Sequence, residues 1–356
     1  MRKLFKPAAG ALLLALLLSG NAGAARTEFL IPGGETIGLK LELGGVSVVD
    51  FAESSPSAKN AGLKKGDLIC KIDGVQVTSS EQLAQRVAQS QGRELAVTVR
   101  RGETEKTLRF APQRTENGWR LGVYVRDGIN GIGTVTYYEP VSGAFGALGH
   151  GVGDADAFPT HGSAFAAQIV SVSKGKPGEP GALQGAAAPQ AVGRIDRNSE
   201  RGVFGTITLP EKQAVPVARE SDVRTGEASI YSCVSGQLPQ EYAVRIVEID
   251  LREAHCRNFL IEVTDPALLA RTGGIVQGMS GSPIMQNGKL VGAVTHVLVN
   301  DPTRGYGIFI ENMLAAAQEQ QKAAYIRELL RLCRRGSLSM SKSPSGVLAL
   351  QASACT

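Results

Sequence analysis

From Leu121 to Ile310 the apolar runs are short and broken by glycine and proline. They fall at Gly131–Tyr138, Ala166–Val172, Gly202–Leu209, Ala243–Ile249, Asn258–Val263, Leu290–Leu298 and Gly305–Ile310. Each suits one strand, and strands at this spacing with turn residues between them argue for a β-sandwich or barrel. The 43 glycines of the 356-residue chain fit an architecture rich in turns. Lys174–Gln190, rich in Gly, Ala and Pro, reads as a long loop between two strands. Only Asn312–Leu332 carries a long helical pattern, and the Ser-rich residues from Arg334 read as a disordered tail.

The N-terminus has the three parts of an export signal. Arg2, Lys3 and Lys6 precede the apolar stretch Ala8–Leu18, and Ala22-Gly23-Ala24 is a small-residue exit. The apolar stretch is shorter than the roughly 20 residues of a membrane span. It reads as a signal peptide or a signal anchor over residues 1–25, giving transient membrane association. The formal net charge of +5 falls to about +2 without those three cations, so nothing favours a nucleic-acid partner.

Export permits disulfides. Cys70, Cys233, Cys256, Cys333 and Cys355 are odd in number and widely spaced, which argues against a disulfide framework; Cys233 with Cys256 is the one pairing that suggests itself. There is no CxxC pair and no HExxH, so neither a metal site nor a cofactor is expected.

Residues 36–110 form a first module. Val46–Val49 and Leu95–Val99 are β-branched runs, and Ser79–Gln89 opens as a helix with Leu83 and Val87 on one face. Between them stand Ser55-Pro56-Ser57-Ala58-Lys59-Asn60-Ala61-Gly62-Leu63-Lys64-Lys65-Gly66-Asp67 and Ile72-Asp73-Gly74. This text resembles the bacterial PDZ pattern. The resemblance implies peptide capture by strand addition, with the carboxylate held by Thr36-Ile37-Gly38-Leu39 and the groove lined by Leu83 and Val87. The plainer reading makes Leu83 and Val87 core.

Chemistry concentrates in Gly273-Gly274-Ile275-Val276-Gln277-Gly278-Met279-Ser280-Gly281-Ser282-Pro283. A serine between glycines on a tight turn exposes its hydroxyl. The N–H groups of Gly278 and Ser280 can converge as an oxyanion hole. The loop resembles the nucleophile loop of chymotrypsin-like peptidases, and Asn287-Gly288 turns the hairpin that follows. A serine needs a base. Of the histidines, His150 is flanked by glycines, His161 lies in a polar loop, and His255 stands among charges. His296 ends an apolar strand, as a core residue or as part of the substrate pocket. Asp265 follows the strand Phe259–Val263 and is the candidate orienting acid. It is equally placed to cap a short helix from Pro266. Asp154 and Asp156 are its competitors.

The run from Gly146 to Val152, the run from Val263 to Pro283 and Gly292–Val297 together resemble the SpoIVB-type serine peptidases of endospore-forming bacteria. The resemblance implies a mainly β chain: a signal segment, a PDZ domain of α+β type, and a chymotrypsin-like double β-barrel over residues 121–333, with 334–356 as a tail. It places the family's catalytic histidine, aspartate and serine on His150, Asp265 and Ser280. It also implies a signalling endopeptidase between the forespore and mother-cell membranes. Such an enzyme cleaves its own N-terminal region, then the extracytoplasmic part of a membrane complex that restrains sigma-K activation. An envelope quality-control protease and a non-catalytic peptide-binding scaffold are the competing readings; the PDZ-first order disfavours the former.

Overall fold

The computed structural model describes residues 28–53, 56–102, 104–153, 159, 161–252, 256–319, 338–342 and 348–352. The expected signal segment, Asp154, Asp156, His255, and most of the tail lie outside them.

The strands of the PDZ region and first barrel are β1 (Phe29–Pro32), β2 (Thr36–Phe51), β3 (Leu68–Ile72), β4 (Val75–Gln76), β5 (Leu95–Arg101), β6 (Thr104–Phe110), β7 (Gln113–Thr115), β8 (Gly118–Arg120), β9 (Val123–Tyr138), β10 (Ala144–Ala147), β11 (His161–Ser173), β12 (Ala182–Ser199) and β13 (Gly202–Ile207). After β14 (Val215–Pro216) come β15 (Gly226–Ser232), β16 (Gln240–Ile249), β17 (Phe259–Val263), β18 (Pro283–Gln286), β19 (Lys289–Leu298) and β20 (Asp301–Phe309). Helices are α1 (Ser57–Asn60), α2 (Ser80–Gln89), α3 (Pro266–Thr272) and α4 (310–319).

Two rings of strands form. In the first, β2, β9, β10, β13, β12 and β11 pair in turn, and β11 returns to β2. The second is the closed barrel β15-β16-β17-β20-β19-β18. Alternation explains both, because strand side chains point to opposite faces in turn. In β2, Ile37, Leu39 and Leu41 are buried in the first barrel. In β17, Phe259, Ile261 and Val263 are buried in the second. Phe259 meets Phe309 edge-on at 4.5 Å. Burying each such ring is worth roughly 2–3 kcal/mol over leaving it in water. A third cluster, with Tyr137 and Phe204 from one barrel and Met285, Ala293 and Ile308 from the other, joins them.

Two strands outrun the first barrel. Residues Thr36–Glu42 of β2 pair with β9 and Ile37–Glu42 also with β11, whereas Val46 and Ser47 pair with β3. Residues Val123–Arg126 of β9 stay paired with the far part of β2. These ends, with β3, β5 and β6, make the PDZ sheet, over which α2 packs Leu83 and Val87. Ser79 caps α2 by accepting from Gln82 N–H. Asp67, 1% exposed, accepts two hydrogen bonds from the Arg101 guanidinium at 2.6 and 2.7 Å.

The structure corrects two expectations. The turn between β11 and β12 ends at Ala182, so much of Lys174–Gln190 is strand; Pro189 is accommodated where the pairing slips between Ala187 and Ala191. Cys233 and Cys256 are not joined in a bridge; each thiol donates to a carbonyl, Gly236 and Glu200 respectively.

Candidate active site

The nucleophile loop lies at the seam between the barrels. Helix α3 stops at Gly273, whose φ of 76° few other residues tolerate. The chain then returns past β20, with Ile275 N–H donating to Pro302. Threonines of β9 hold it from the other barrel. Thr134 Oγ1 donates to Gly278 O and Thr136 Oγ1 to Gly281 O, both at 2.8 Å, while Thr134 N–H donates to Ser280 O. Gly281 has φ of 97°, and a Cβ there would stand 2.0 Å from Thr134 O. Among the described residues, the N–H groups of Gly278 and Ser280 donate to no hydrogen bond. These are the two donors an oxyanion would need.

His150 reaches the same seam by a different turn. After β10, Leu148 and Gly149 both take positive φ, 70° and 68°. Gly149 lies against Thr295 and Ile308, and Leu148 against Gly281, so the imidazole enters next to the serine loop. Its Nδ1 meets Gly151 O at 2.8 Å. A carbonyl only accepts, so the proton sits on Nδ1 and Nε2 presents a lone pair. Asn198 fixes this loop, accepting from Val152 N–H and donating to Val152 O. Sequence reasoning did not single out Asn198. No local sequence signal marks it, because its burial, 4% exposed, comes from the distant loop it holds.

Ser280 Oγ donates to Thr295 O at 2.7 Å, and the next residue, His296, puts its ring 5.0 Å from that of His150. The structure thus brings together His150, Ser280 and His296. It does not bring Asp265 to them. Asp265 Oδ1 accepts from Leu268 N–H at 2.9 Å as the cap of α3, and Oδ2 from Ala243 N–H. It stands past the end of β17, whereas His296 pairs with Tyr306 and Tyr306 with Leu260 near the start. Five residues of strand separate those levels by about 16 Å.

Burial pushes the His150 pKa below its ordinary value, against the pull of the Gly151 carbonyl. His296 is pushed down to about 4, first by burial, then by His150 and Arg257. Both imidazoles are therefore neutral near pH 7. No group of metal-ligating side chains occurs among the described residues.

The PDZ residues are placed otherwise than the sequence suggested. Thr36, Ile37, Gly38 and Leu39 do not form a loop. Ile37, Gly38 and Leu39 are paired on both edges, with β9 and with β11, and Thr36 with β9, leaving no free N–H row for a carboxylate. Leu83 and Val87, 5% and 2% exposed, are core. The edge left unpaired beside α2, among the described residues, is the start of β9. Asp127 there accepts from Ser80 N–H and Oγ, and Tyr124 is exposed.

A mainly β double barrel with a serine loop and a histidine at its seam, carrying a PDZ domain, defines a chymotrypsin-like serine-peptidase class. The sequence profile of the SpoIVB peptidase S55 family matches residues 117–314, and a PDZ domain profile matches 34–111. The chain belongs to the SpoIVB peptidase S55 family.

Curated relatives match over a smaller stretch. "Putative zinc metalloprotease LL2128" of Lactococcus lactis subsp. lactis (strain IL1403) is 28% identical over 107 residues, 29% of this chain and 25% of that protein. "Putative zinc metalloprotease Atu1380" of Agrobacterium fabrum (strain C58 / ATCC 33970) is 36% identical over 87 residues, 24% of this chain and 23% of that protein. The chain thus spans about a quarter of the length of these relatives. Among solved structures, an inactive mutant of Rv3671c from M. tuberculosis H37Rv is 15% identical, covering 54% of this chain and 82% of that one at a TM-score of 0.30. The HtrA-type protease AlgW with tripeptide is 14% identical, covering 63% and 68% at a TM-score of 0.32.

Proposed function

We propose that this protein is an exported serine endopeptidase whose chemistry rests on Ser280 and His150. The observation that carries the reading is the pair of undonated N–H groups, Gly278 and Ser280, beside a hydroxyl at the seam that His150 enters. Ser280 Oγ rotates from Thr295 O towards His150 Nε2, which takes its proton as Oγ bonds the peptide carbonyl carbon. The oxygen, now an anion, receives the two N–H groups. His150 returns the proton to the leaving amine, and water then repeats the sequence on the acyl-serine. Asp265 is the family's expected acid, but its carboxylate caps α3, and the Gly151 carbonyl supplies the orientation of His150.

The PDZ domain would take an extended peptide along the free edge of β9, between it and α2, backbone hydrogen bonds giving affinity. By family resemblance the target is the extracytoplasmic part of a membrane complex in sporulation signalling, upstream of sigma-K, with the chain's own N-terminal region as an earlier substrate. The enzyme would act between the forespore and mother-cell membranes. A fluorophosphonate probe tests the core of this reading. It should label the wild type and leave Ser280→Ala unlabelled; equal labelling of both, or of neither, removes Ser280 as nucleophile.

A further inference from the structure

We propose that His296 and Arg257 form a specificity pocket beside Ser280, and that this pocket takes an acidic side chain of the peptide substrate. The inference rests on the peptidase reading and adds a substrate class to it.

Three placements carry it. His296 is tied to the nucleophile through one peptide unit, because Ser280 Oγ donates to Thr295 O at 2.7 Å. His296 and Tyr306 are directly paired across β19 and β20, so their side chains share a face. Arg257 lies over the Tyr306 ring, with its guanidinium carbon 5.2 Å from the ring centre. An imidazole, a phenol ring and a guanidinium thus gather on one side of the seam that His150 enters.

The proton inventory sets the chemistry. His296 Nδ1 is buried with no hydrogen-bond partner. A stranded buried N–H is rarer than a stranded acceptor, so the proton belongs on Nε2. The neutral ring then keeps an N–H donor on Nε2 for a ligand. Arg257 adds donors and a full positive charge, held in place by the ring beneath it. Among the described residues no carboxylate forms a salt bridge with Arg257; Arg304, further along the same strand pair, already pairs with Glu262 and Asp301. Donors and positive charge with no anion paired to them among the described residues call for an acceptor that carries negative charge. Glutamate or aspartate before the cleaved bond meets both needs. Lysine would face Arg257, and an aliphatic residue would leave the donors unpaired, the more costly mismatch in a dry pocket.

The experiment uses the full chain carrying Ser280→Ala, so that binding is read without turnover. Blocked peptides, acetylated and amidated to avoid carboxylate capture by the PDZ domain, differ only by Glu, Gln, Ala or Lys at one central position. Affinity and the nitrogen resonances of the His296 ring are followed together. The Glu peptide should bind at least ten-fold more tightly than the Gln or Lys peptide and shift the His296 resonances. Arg257→Ala should abolish the preference, Arg257→Lys should restore part of it, and His296→Ala should weaken Glu binding alone. Equal affinities, no binding by any peptide, a preference for lysine or alanine, or a Glu preference that survives Arg257→Ala would overturn the pocket. Turnover by the wild type is then measured on the same peptides. Cleavage without acidic preference sinks the pocket and leaves the peptidase standing; Glu-selective binding without any cleavage does the reverse.

Discussion

The hydroxyl of Ser280 rests on a backbone carbonyl, and the Nδ1 proton of His150 rests on another. Neither contact uses a carboxylate, and this makes Asp265 the residue whose role is most sharply testable. Asparagine caps a helix about as well as aspartate, whereas alanine loses roughly 1 kcal/mol. Asp265→Asn should therefore keep both stability and turnover within ten-fold of wild type, and Asp265→Ala should lower the melting temperature. A fall near 10⁴ in kcat for Asp265→Asn, the scale seen when an orienting acid is lost, would give the carboxylate the role the resemblance assigned it. The sequence contained both readings at once: Asp before Pro starts a helix, and Asp fifteen residues before the serine matches the family. Only the positions of Leu268 and Ala243 separate them. The imidazoles add a pH signature. His150 and His296 both have lowered pKa values, His296 to about 4. The unfolded chain therefore binds more protons than the folded one below the ordinary histidine value of 6.5, and stability falls as pH drops from there towards about 4. The base itself stays neutral below 6.5, so the acid limb of kcat/KM should lie below that pH. A limb centred at or above 6.5 in a pH–rate profile would contradict the burial of His150.

At the scale of elements, β9 is the strand that shapes the nucleophile loop, although no catalytic side chain belongs to it. Its threonines grip two carbonyls of that loop, and Gly281 gives the close approach room. Gly281→Ala places a Cβ against the Thr134 carbonyl at a φ that alanine resists. It should abolish probe labelling while the PDZ core stays folded, as read by hydrogen exchange at Val97 and Val99. Thr136→Val keeps the shape and strands the Gly281 carbonyl, costing about 1–3 kcal/mol. Its unfolding midpoint in urea should fall accordingly, and an unchanged midpoint would show that the carbonyl finds another donor. Much of this level was legible. The strand runs of the second barrel follow from their spacing; residue type offers Ser79 or Ser80 as helix cap, and the structure uses Ser79. Thr36–Leu39 is strand rather than carboxylate loop, and the pattern running on to Leu41 carries the signal. Ile37, Leu39 and Leu41 alternate with Gly38 and Lys40, the two-residue period of a strand. The PDZ profile includes those residues, yet their ladder partners are β9 and β11 of the first barrel, so one strand serves both modules. Arg257 was missed because its partner Tyr306 is 49 residues away, and nothing local marks the pair.

Across the whole molecule, β2 and β9 form a two-strand ribbon that begins in the first barrel and ends in the PDZ sheet. The PDZ domain is thus an insertion between two strands of a closed barrel, and chain deletions must respect the ribbon. Removing residues 36–110 takes out the barrel half of β2, exposing the edges of β9 and β11 and the cluster around Val135 and Ile195. That protein should fail to fold and should not label with the probe. Cutting on the other side of the ribbon has a different consequence. Phe51 and Val123 are register partners, so a short glycine-rich turn joining Phe51 to Val123 leaves the barrel ladder closed. Val46, Val48 and Val125 would lose their cover over α2 and the PDZ core, so polar replacements at those three positions belong in the same variant. This shortened chain should label at Ser280 and cleave short blocked peptides at rates near wild type, while losing the gain that a long substrate obtains from occupying the free edge of β9. If it labels but cleaves long and short substrates in the wild-type ratio, the PDZ edge contributes nothing to capture. If it folds by far-UV circular dichroism yet fails to label, the ribbon carries more than a connection: the PDZ end of β9 would then be setting the position of Thr134 and Thr136, and through them the two N–H groups that the reaction needs.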